Sequence, residues 1–404
     1  MAPKRPGMKR REFLRTAAAA TAGLVIVKPE SVRGARANSA LRIGLIGCGG
    51  RGRFVSRFVP RYTDAKVVAL TDPFEDRVEG LHEELAKKLR QPIDDAHCFV
   101  GLDGYKGLID SGVDAVMIES PPYFHPEQAA AAVAAGKHVY IAKPLAVDVP
   151  GCQSIMESSR KAEGRLNFLV DFQTRVNEFF IEAARRVHEG AIGQAVCGQI
   201  FYQTGRLGPQ ADPKDQSDAA RLRNWVFDIV LSGDIIVEQN IHVLDVSNWY
   251  LQSHPIKCYG TGGRTARTDV GDCWDHFVCT YYYPNDVKID FSSSQFLKGF
   301  HDMCMRVYGT GGTVDSHYGG KVEITGDNPY PGGDTAKIYS EGAITNVKAF
   351  VESIKTGKLI NNGISGAEST LTSILGREAA YRQTEVTWDE MIRENKKLET
   401  RLKI

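Results

Sequence analysis

The sequence predicts an α/β fold: an N-terminal doubly wound parallel sheet, followed by a C-terminal α/β domain with a largely antiparallel open sheet. Three observations carry this expectation. Short apolar runs alternate with helical stretches through the first part of the chain, the pattern of βαβ units. A glycine-rich turn, Gly47-Cys48-Gly49-Gly50-Arg51-Gly52, directly follows the first of those runs. Beyond Ala195 the alternation gives way to β-like runs joined by turns, as in Tyr283-Pro284-Asn285-Asp286.

With 404 residues, 42% of them hydrophobic and 25% charged, the chain is long enough for two domains with sizeable cores. The formal net charge of +1 gives no overall field to attract nucleic acid or an anionic membrane, so the expected partner is a small molecule. No apolar run of the mature chain reaches the roughly 20 residues that span a bilayer. The eight cysteines are scattered without a C-x-x-C pair, which argues against a zinc site and for free thiols, with one or two disulfides left open.

The N-terminus reads as an address. Lys9-Arg10-Arg11-Glu12-Phe13-Leu14 precedes an alanine-rich apolar stretch from Thr16 to Val27, an order of parts that resembles a twin-arginine export signal. Ala35-Arg36-Ala37 offers a small-x-small cleavage site, so residues 1–37 are expected to be a signal peptide and the mature protein periplasmic or otherwise exported. A basic tail is the plainer alternative.

The first domain follows in order. Leu41 to Ile46 is a short β-like run, and the G-x-G-x-x-G comes next, ahead of a helix expected over Arg53 to Tyr62. A second strand, Lys66 to Thr71, ends in Asp72. Strand, glycine turn, helix, strand and terminal carboxylate in this order define a dinucleotide-binding Rossmann unit. Gly47, Gly49, Gly50, Arg51 and Gly52 would let a pyrophosphate approach the helix N-terminus, while Asp72 would accept from the adenosine ribose hydroxyls and repel a 2′-phosphate. The expected cofactor is therefore NAD. Val113 to Glu119 is another apolar strand, leading into Ser120-Pro121-Pro122-Tyr123-Phe124-His125 and a helix from Glu127 to Ala135. His138 to Ile141 is the next strand, ending at Ala142-Lys143-Pro144. Ligands of such sheets bind beyond the strands' carboxyl ends, where Asp72, Ser120, Pro121, His125, Lys143 and Pro144 all fall.

Together, the G-x-G-x-x-G, the strand-end Asp72, the Pro-Pro-x-x-His turn and the Lys143-Pro144 pair resemble the Gfo/Idh/MocA oxidoreductases over nearly the whole mature chain. The resemblance implies that Lys143 contacts both the nicotinamide ribose and the substrate. The family motif is Glu-Lys-Pro, and this chain has Ala142 in place of the glutamate, which removes one charge beside the lysine. Gly190-Ala191-Ile192-Gly193 resembles the family's turn into its second domain, and Ala367 to Tyr381 with Val386-Thr387-Trp388 resembles its C-terminal segment. The resemblance implies a Rossmann domain over 38–165 and a substrate-binding and oligomerisation domain over 166–404, whose final helices return toward the first. It also implies a homodimer or homotetramer built through the open sheet.

Within Ser232 to Asp245, the residues Glu238, His242 and Asp245, with Trp249 beyond, fall at helical spacing on one stripe among apolar neighbours. A polar stripe on an apolar helix needs partners or a cavity. A buried hydrogen-bond network and a metal site remain alternatives, but no further ligand motif accompanies the pair, and no metal is expected. Catalysis is favoured because the family carries Asp-x-x-x-His here, against Glu238-x-x-x-His242 in this chain. His242 is the expected general base, since a neutral imidazole can take the proton of an alcohol near neutral pH. Glu238 or Asp245 would fix its tautomer, and Lys143 would stabilise charge on the substrate oxygen. Gln173 and Arg175, after a strand at Asn167 to Phe172, would bind substrate hydroxyls with Asn177 nearby, and Trp225 would stack on a sugar face or pack in the core. The resemblance implies hydride transfer between a tightly held NAD and a hydroxyl of a sugar, glycoside or cyclitol. A redox-neutral, NAD-dependent glycosidase is the alternative.

Overall fold

In the computed structural model residues 40–402 are described, so the expected leader over 1–37 lies outside them. Among the described residues, six parallel strands build the first sheet: β1 (Arg42–Ile46), β2 (Lys66–Asp72), β3 (Cys98–Val100), β4 (Ala115–Ile118), β5 (His138–Ile141) and β6 (Phe168–Val170). Their order is β3-β2-β1-β4-β5-β6, so the winding direction reverses between β1 and β4. Both faces of this sheet are covered, which is why β4 reads as an unbroken buried run, Ala115-Val116-Met117-Ile118. The sheet continues past residue 165 into β6.

Helix α1 (Gly50–Ser56) leaves β1 through the glycine turn, with Gly49 at its N-cap and no side chain capping it. Its first N–H groups therefore face outward without an internal partner. Helix α2 (His125–Ala134) starts with Pro126 in its first turn, where a missing N–H is harmless. Helix α3 (Val149–Ala162) is capped by Asp148, whose carboxylate accepts from Gly151 N–H at 2.8 Å.

The second sheet holds nine strands among the described residues: β7 (Ala195–Thr204), β8 (Lys257–Gly263), β9 (His276–Tyr282), β10 (Lys288–Gln295), β11 (Asp302–Gly309), β12 (Gly312–His317), β13 (Lys321–Gly326), β14 (Tyr330–Asp334) and β15 (Glu385–Thr387). Their order is β14-β13-β12-β11-β7-β10-β9-β8-β15, and only β7 with β10 runs parallel among these pairs. One face packs against α4 (Glu178–His188), α5 (Ile241–Leu251) and α7 (Gly363–Arg382), and α5 is buried almost all round. The strands alternate accordingly, as in β9, where Phe277, Cys279 and Tyr281 turn inward and Val278 stays exposed.

The C-terminal helices return to the first sheet. Helix α6 (Ile338–Thr356) adds Ala343, Val347, Phe350 and Val351 to the core beneath β1 and β2. The Phe350 ring lies 5.5 Å from Tyr140 on β5. Helix α7 packs on both α3 and β8, so one continuous core joins the parallel sheet to the second one. All eight cysteines are free thiols. Among the described residues no helix is long and apolar enough to cross a membrane.

Candidate active site

The glycine turn makes a cradle by close approach. Gly47 has φ +97°, and a Cβ there would meet the Glu119 carbonyl carbon and oxygen at 2.7 Å. A Cβ at Gly52 would sit 1.9 Å from the Gly47 carbonyl oxygen. Around the turn lies a cleft with about 970 Å³ of empty space, its open mouth included. Gly47, Gly49, Gly50, Arg51, Asp72, Ser120 and Pro121 line it from the first sheet. Asp72 accepts from Cys48 N–H at 2.9 Å and Phe74 N–H at 3.0 Å, which fixes its carboxylate at the end of β2. Burial pushes its pKa up against those bonds and against Arg77.

The opposite wall comes from the second domain. Gln210, Leu222, Arg223 and Trp225 line the same cleft, so Trp225 stands at the cofactor cradle rather than at a separate sugar subsite. Arg223 bonds Asp76 at 2.6 Å and lies 4.0 Å from the centre of the Phe74 ring. The segment before α5 thus reaches across the cleft to the first domain.

His125 does not line the cleft. Its Nδ1 is 2.9 Å from the Pro144 carbonyl and its Nε2 is 2.8 Å from the Ser120 carbonyl. Two acceptors favour a protonated ring, whereas burial pushes its pKa down to about 4. Burial wins at neutral pH, so the ring carries a single N–H and donates it to one of the two carbonyls. That turn has a cis peptide bond, and it aims the Lys143 ammonium at Glu238, donating to its carbonyl at 2.6 Å and lying 3.3 Å from its carboxylate Oε1.

The polar stripe expected on one helix is broken. Ile235–Glu238 is a separate short helix, and α5 begins only at Ile241. Between them Gln239 N–H and Asn240 N–H both donate to the Ile235 carbonyl, a widened turn that leaves the Glu238 carbonyl for Lys143. Glu238 therefore points to the lysine and not to His242. Asp245 is also elsewhere: it takes a bidentate pair from Arg175 at 2.8 and 3.0 Å and a bond from Ser369 at 2.7 Å. Neither carboxylate touches the imidazole, so the expected tautomer-fixing bond is corrected. Arg175 commits its Nε and Nη2 to Asp245 and lies 4.6 Å from the centre of the Trp249 ring, so it is held as the partner of a buried carboxylate. Asn177 is the N-cap of α4, accepting from Phe179 and Phe180.

His242 is buried beside the Tyr318 ring at 5.2 Å and the Phe172 ring at 6.4 Å, and its Nδ1 has no hydrogen-bond partner. Burial first, then the Lys143 and Arg51 charges, holds its pKa well below the ordinary histidine range. Gln173 is buried, donates to Asp171 at 2.9 Å and accepts from the Tyr318 hydroxyl at 3.2 Å. Arg51 is ion-paired with Asp171 and lies over the Phe54 and Tyr339 rings. Lys143, Arg51, Asp171, Gln173, Tyr318 and His242 thus form one cluster past the ends of β4, β5 and β6.

Three members of this neighbourhood were not singled out from the sequence: Asp171, Tyr318 and Glu119. Glu119 follows β4, lines the cleft, and has no partner for either carboxyl oxygen. An acidic residue closing an apolar run inside a parallel sheet is the signal that marks it. Tyr318 follows β12 and carries no such signal. On the open face of the second sheet, Cys304, Asp315 and His317 bring ligand-type atoms within 4.8 Å of one another. Arg306 already pairs with Asp315 at 2.7 Å and Asp302 with His317 at 2.7 Å, an ion ladder across β11 and β12.

A parallel sheet with a glycine cradle, a carboxylate at the end of β2, and a lysine and histidine at the seam to a second sheet define a dinucleotide-dependent oxidoreductase. Residues 41–169 match the family model described as "Oxidoreductase family, NAD-binding Rossmann fold", and residues 180–315 match the "GFO/IDH/MocA C-terminal domain". These spans together take in well over half of the chain, which belongs to the Gfo/Idh/MocA family and is an NAD-dependent oxidoreductase. It is similar to myo-inositol 2-dehydrogenase of Thermotoga maritima, 23% identical over 348 residues, covering 84% of this chain and 95% of that protein. It is also similar to scyllo-inositol 2-dehydrogenase (NAD(+)) of Bacillus subtilis, 24% identical, covering 68% of this chain and 73% of that protein. Among solved structures, aldose-aldose oxidoreductase from Caulobacter crescentus matches with a TM-score of 0.69 at 20% identity, covering 86% of this chain and 99% of that one. Levoglucosan dehydrogenase in complex with NADH and levoglucosan matches with a TM-score of 0.68 at 18% identity, over 86% of this chain and 99% of that one. The cradle itself fits NAD: the turn folds this tightly only because Gly47 and Gly52 lack a Cβ, and the cleft holds an orphaned buried carboxyl with no partner in the protein.

Proposed function

We propose that this protein moves a hydride between a retained NAD and a secondary hydroxyl of a sugar, glycoside or cyclitol. The observation that carries this reading is a dinucleotide cleft that both domains wall, with Arg51, one of its lining residues, and Lys143 both close enough to His242 for their charges to act on the imidazole. NAD, when bound, supplies the hydride acceptor. The chain's own residues do the rest. Gly47 to Gly52 and Asp72 hold the cofactor, and the segment with Arg223 and Trp225 covers it. Lys143, pinned by Glu238, donates toward the substrate oxygen and favours the alkoxide as it forms. His242, neutral because it is buried, accepts the hydroxyl proton. Gln173, which gives its amide N–H groups to Asp171 and accepts from Tyr318, holds the Tyr318 ring beside His242.

The substrate class is supported by the names of the relatives, which are inositol, aldose and levoglucosan enzymes. The leader at Lys9 to Leu14 supports export in the folded state by the twin-arginine route. Outside the cytoplasm free NAD is scarce, so a cofactor walled by two domains suits an enzyme that restores it within each cycle. The exposed Val278 and Tyr259 on the open sheet support assembly as a dimer or tetramer through that face.

Substitution tests the chemistry directly. Lys143→Ala and His242→Ala should each abolish turnover of polyols while leaving NAD bound, checked by steady-state rates and calorimetric NAD binding. Activity at the parent level in either variant overturns the role assigned to that residue.

A further inference from the structure

Glu119 is the one cleft-lining carboxyl that the protein leaves without a hydrogen bond among the described residues. It is buried, and neither of its oxygens has a partner. Native proteins rarely leave a buried polar group in that state without a cause, such as an ordered water, a catalytic role or a ligand that completes it. Charged and titratable neighbours approach it from every packed element: Arg51 from α1, Lys143 beyond β5, Asp171 beyond β6, and Tyr140 on β5. Arg51 gives its Nη2 to Asp171 and Lys143 goes to Glu238, while Arg51 Nη1 and the Tyr140 hydroxyl are, like Glu119, buried without a partner. Glu119 feels the field of the two cations without receiving their N–H bonds. Burial pushes its pKa up to about 8, with Arg51 and Lys143 pulling it down and Asp171 adding to the rise.

Its place in the sheet says which part of the cofactor it meets. In this strand order a dinucleotide lies across the reversal point, between β1 and β4. Asp72 on β2 marks the adenosine side, and the Gly47–Gly52 turn marks the pyrophosphate. Glu119, after β4, packs against that turn at Gly47 and Gly52, on the side away from Asp72 and within the field of Lys143. The last register pair of the two strands is Ile118 with Ile141, so Glu119 and Ala142 stand side by side at the strand ends. The space that Ala142 leaves beside Lys143 is thus served by a carboxyl from the neighbouring strand.

We propose that Glu119 accepts hydrogen bonds from the nicotinamide half of the cofactor and favours the cationic, oxidised ring over the neutral, reduced one. This rests on the NAD-dependent reading above and assigns a residue within it. A carboxylate in a low-dielectric cleft attracts a cationic ring strongly and a neutral ring hardly at all. Conversely, bound NAD+ holds Glu119 ionised, while bound NADH lets it keep a proton. NAD+ binding near neutral pH therefore releases a proton to solvent, and NADH binding releases none.

The test is calorimetric binding of NAD+ and NADH to the full mature protein, stripped of nucleotide, between about pH 6 and pH 9. The preference for NAD+ over NADH should grow about tenfold across that range in the parent protein. It should be flat with pH in Glu119→Gln, which keeps the shape of the side chain. Equal slopes in parent and variant overturn the proposal. Should the variant fail to fold, titration of the parent in two buffers of different ionisation enthalpy counts the protons directly. Proton release with NAD+ alone supports Glu119, and identical release with both nucleotides overturns it. Binding of neither nucleotide overturns this proposal together with the cofactor reading beneath it, whereas binding of both without a charge preference overturns Glu119 alone.

Discussion

Asp245 and Glu238 show how much side-chain geometry adds to spacing. Both were expected beside His242, and both hold a cation instead: Arg175 for Asp245 and Lys143 for Glu238. Asp245 is buried, so Asp245→Asn strands the Arg175 guanidinium and should destabilise the fold by about 3 kcal/mol, read from urea unfolding. Because Asp245 does not touch the imidazole, the pH profile of turnover should keep its midpoint in that variant. A shifted midpoint would return Asp245 to the catalytic machinery. Glu119 gives a second prediction. Its folded pKa of about 8 lies above the unfolded value, so its contribution is fully present below about pH 4.3 and is lost as pH rises through 8. The cofactor-free Glu119→Gln variant should therefore melt higher than the parent above pH 8 and near it at pH 4. Sequence alone marked the residues whose chemistry follows from position, the glycines, Asp72 and Lys143. It missed Glu119, because an acid closing an apolar run reads equally well as a solvated strand end.

At the scale of elements, the widened turn at Gln239-Asn240 decides the site. Periodicity alone assumed one helix through Glu238 and His242, and a shift of a single hydrogen bond moves Glu238 to another face. The G-x-G-x-x-G unit, β4, β5, and the hairpin at Pro284 were legible because apolar period and turn chemistry agree there. Strands β12, β13 and β14 were not. Gly309, Gly311, Gly312, Gly319, Gly320, Gly332 and Gly333 interrupt the alternation, and backbone pairing rather than side-chain burial defines β14. The covering segment is an element whose role can be measured. Arg223→Ala removes an exposed ion pair with Asp76 and the stacking on Phe74, together worth about 1 kcal/mol. NAD dissociation should quicken about fivefold, followed by stopped-flow displacement; an unchanged rate means that the segment does not hold the cofactor.

The whole molecule is tied together through its C-terminal helices. Helix α6 completes the core under the first sheet, and α7 joins that sheet to the second, so the seam between Lys143 and His242 is set by packing that reaches from β1 to the C-terminal helices. Buried histidines give this assembly an acid limit. The pKa of His125, depressed to about 4, lies below its unfolded value of about 6.5, and that of His242 is lowered as well. The unfolded chain then takes up protons that the native chain refuses, and stability should fall as pH drops from about 6.5 toward 4. Thermal melts across that window should show the loss, with a shallower slope in His125→Gln.

The central claim is that NAD stays on the protein and exchanges hydride with a sugar or cyclitol hydroxyl. Single-turnover reaction of the purified mature protein, with inositols, aldoses and glycosides and no added nucleotide, tests it most directly. The account predicts co-purifying nicotinamide that becomes reduced in proportion to bound cofactor, with one keto product formed per reduced ring. Aglycone released without any net reduction, or a protein that neither carries nor binds NAD, would contradict it.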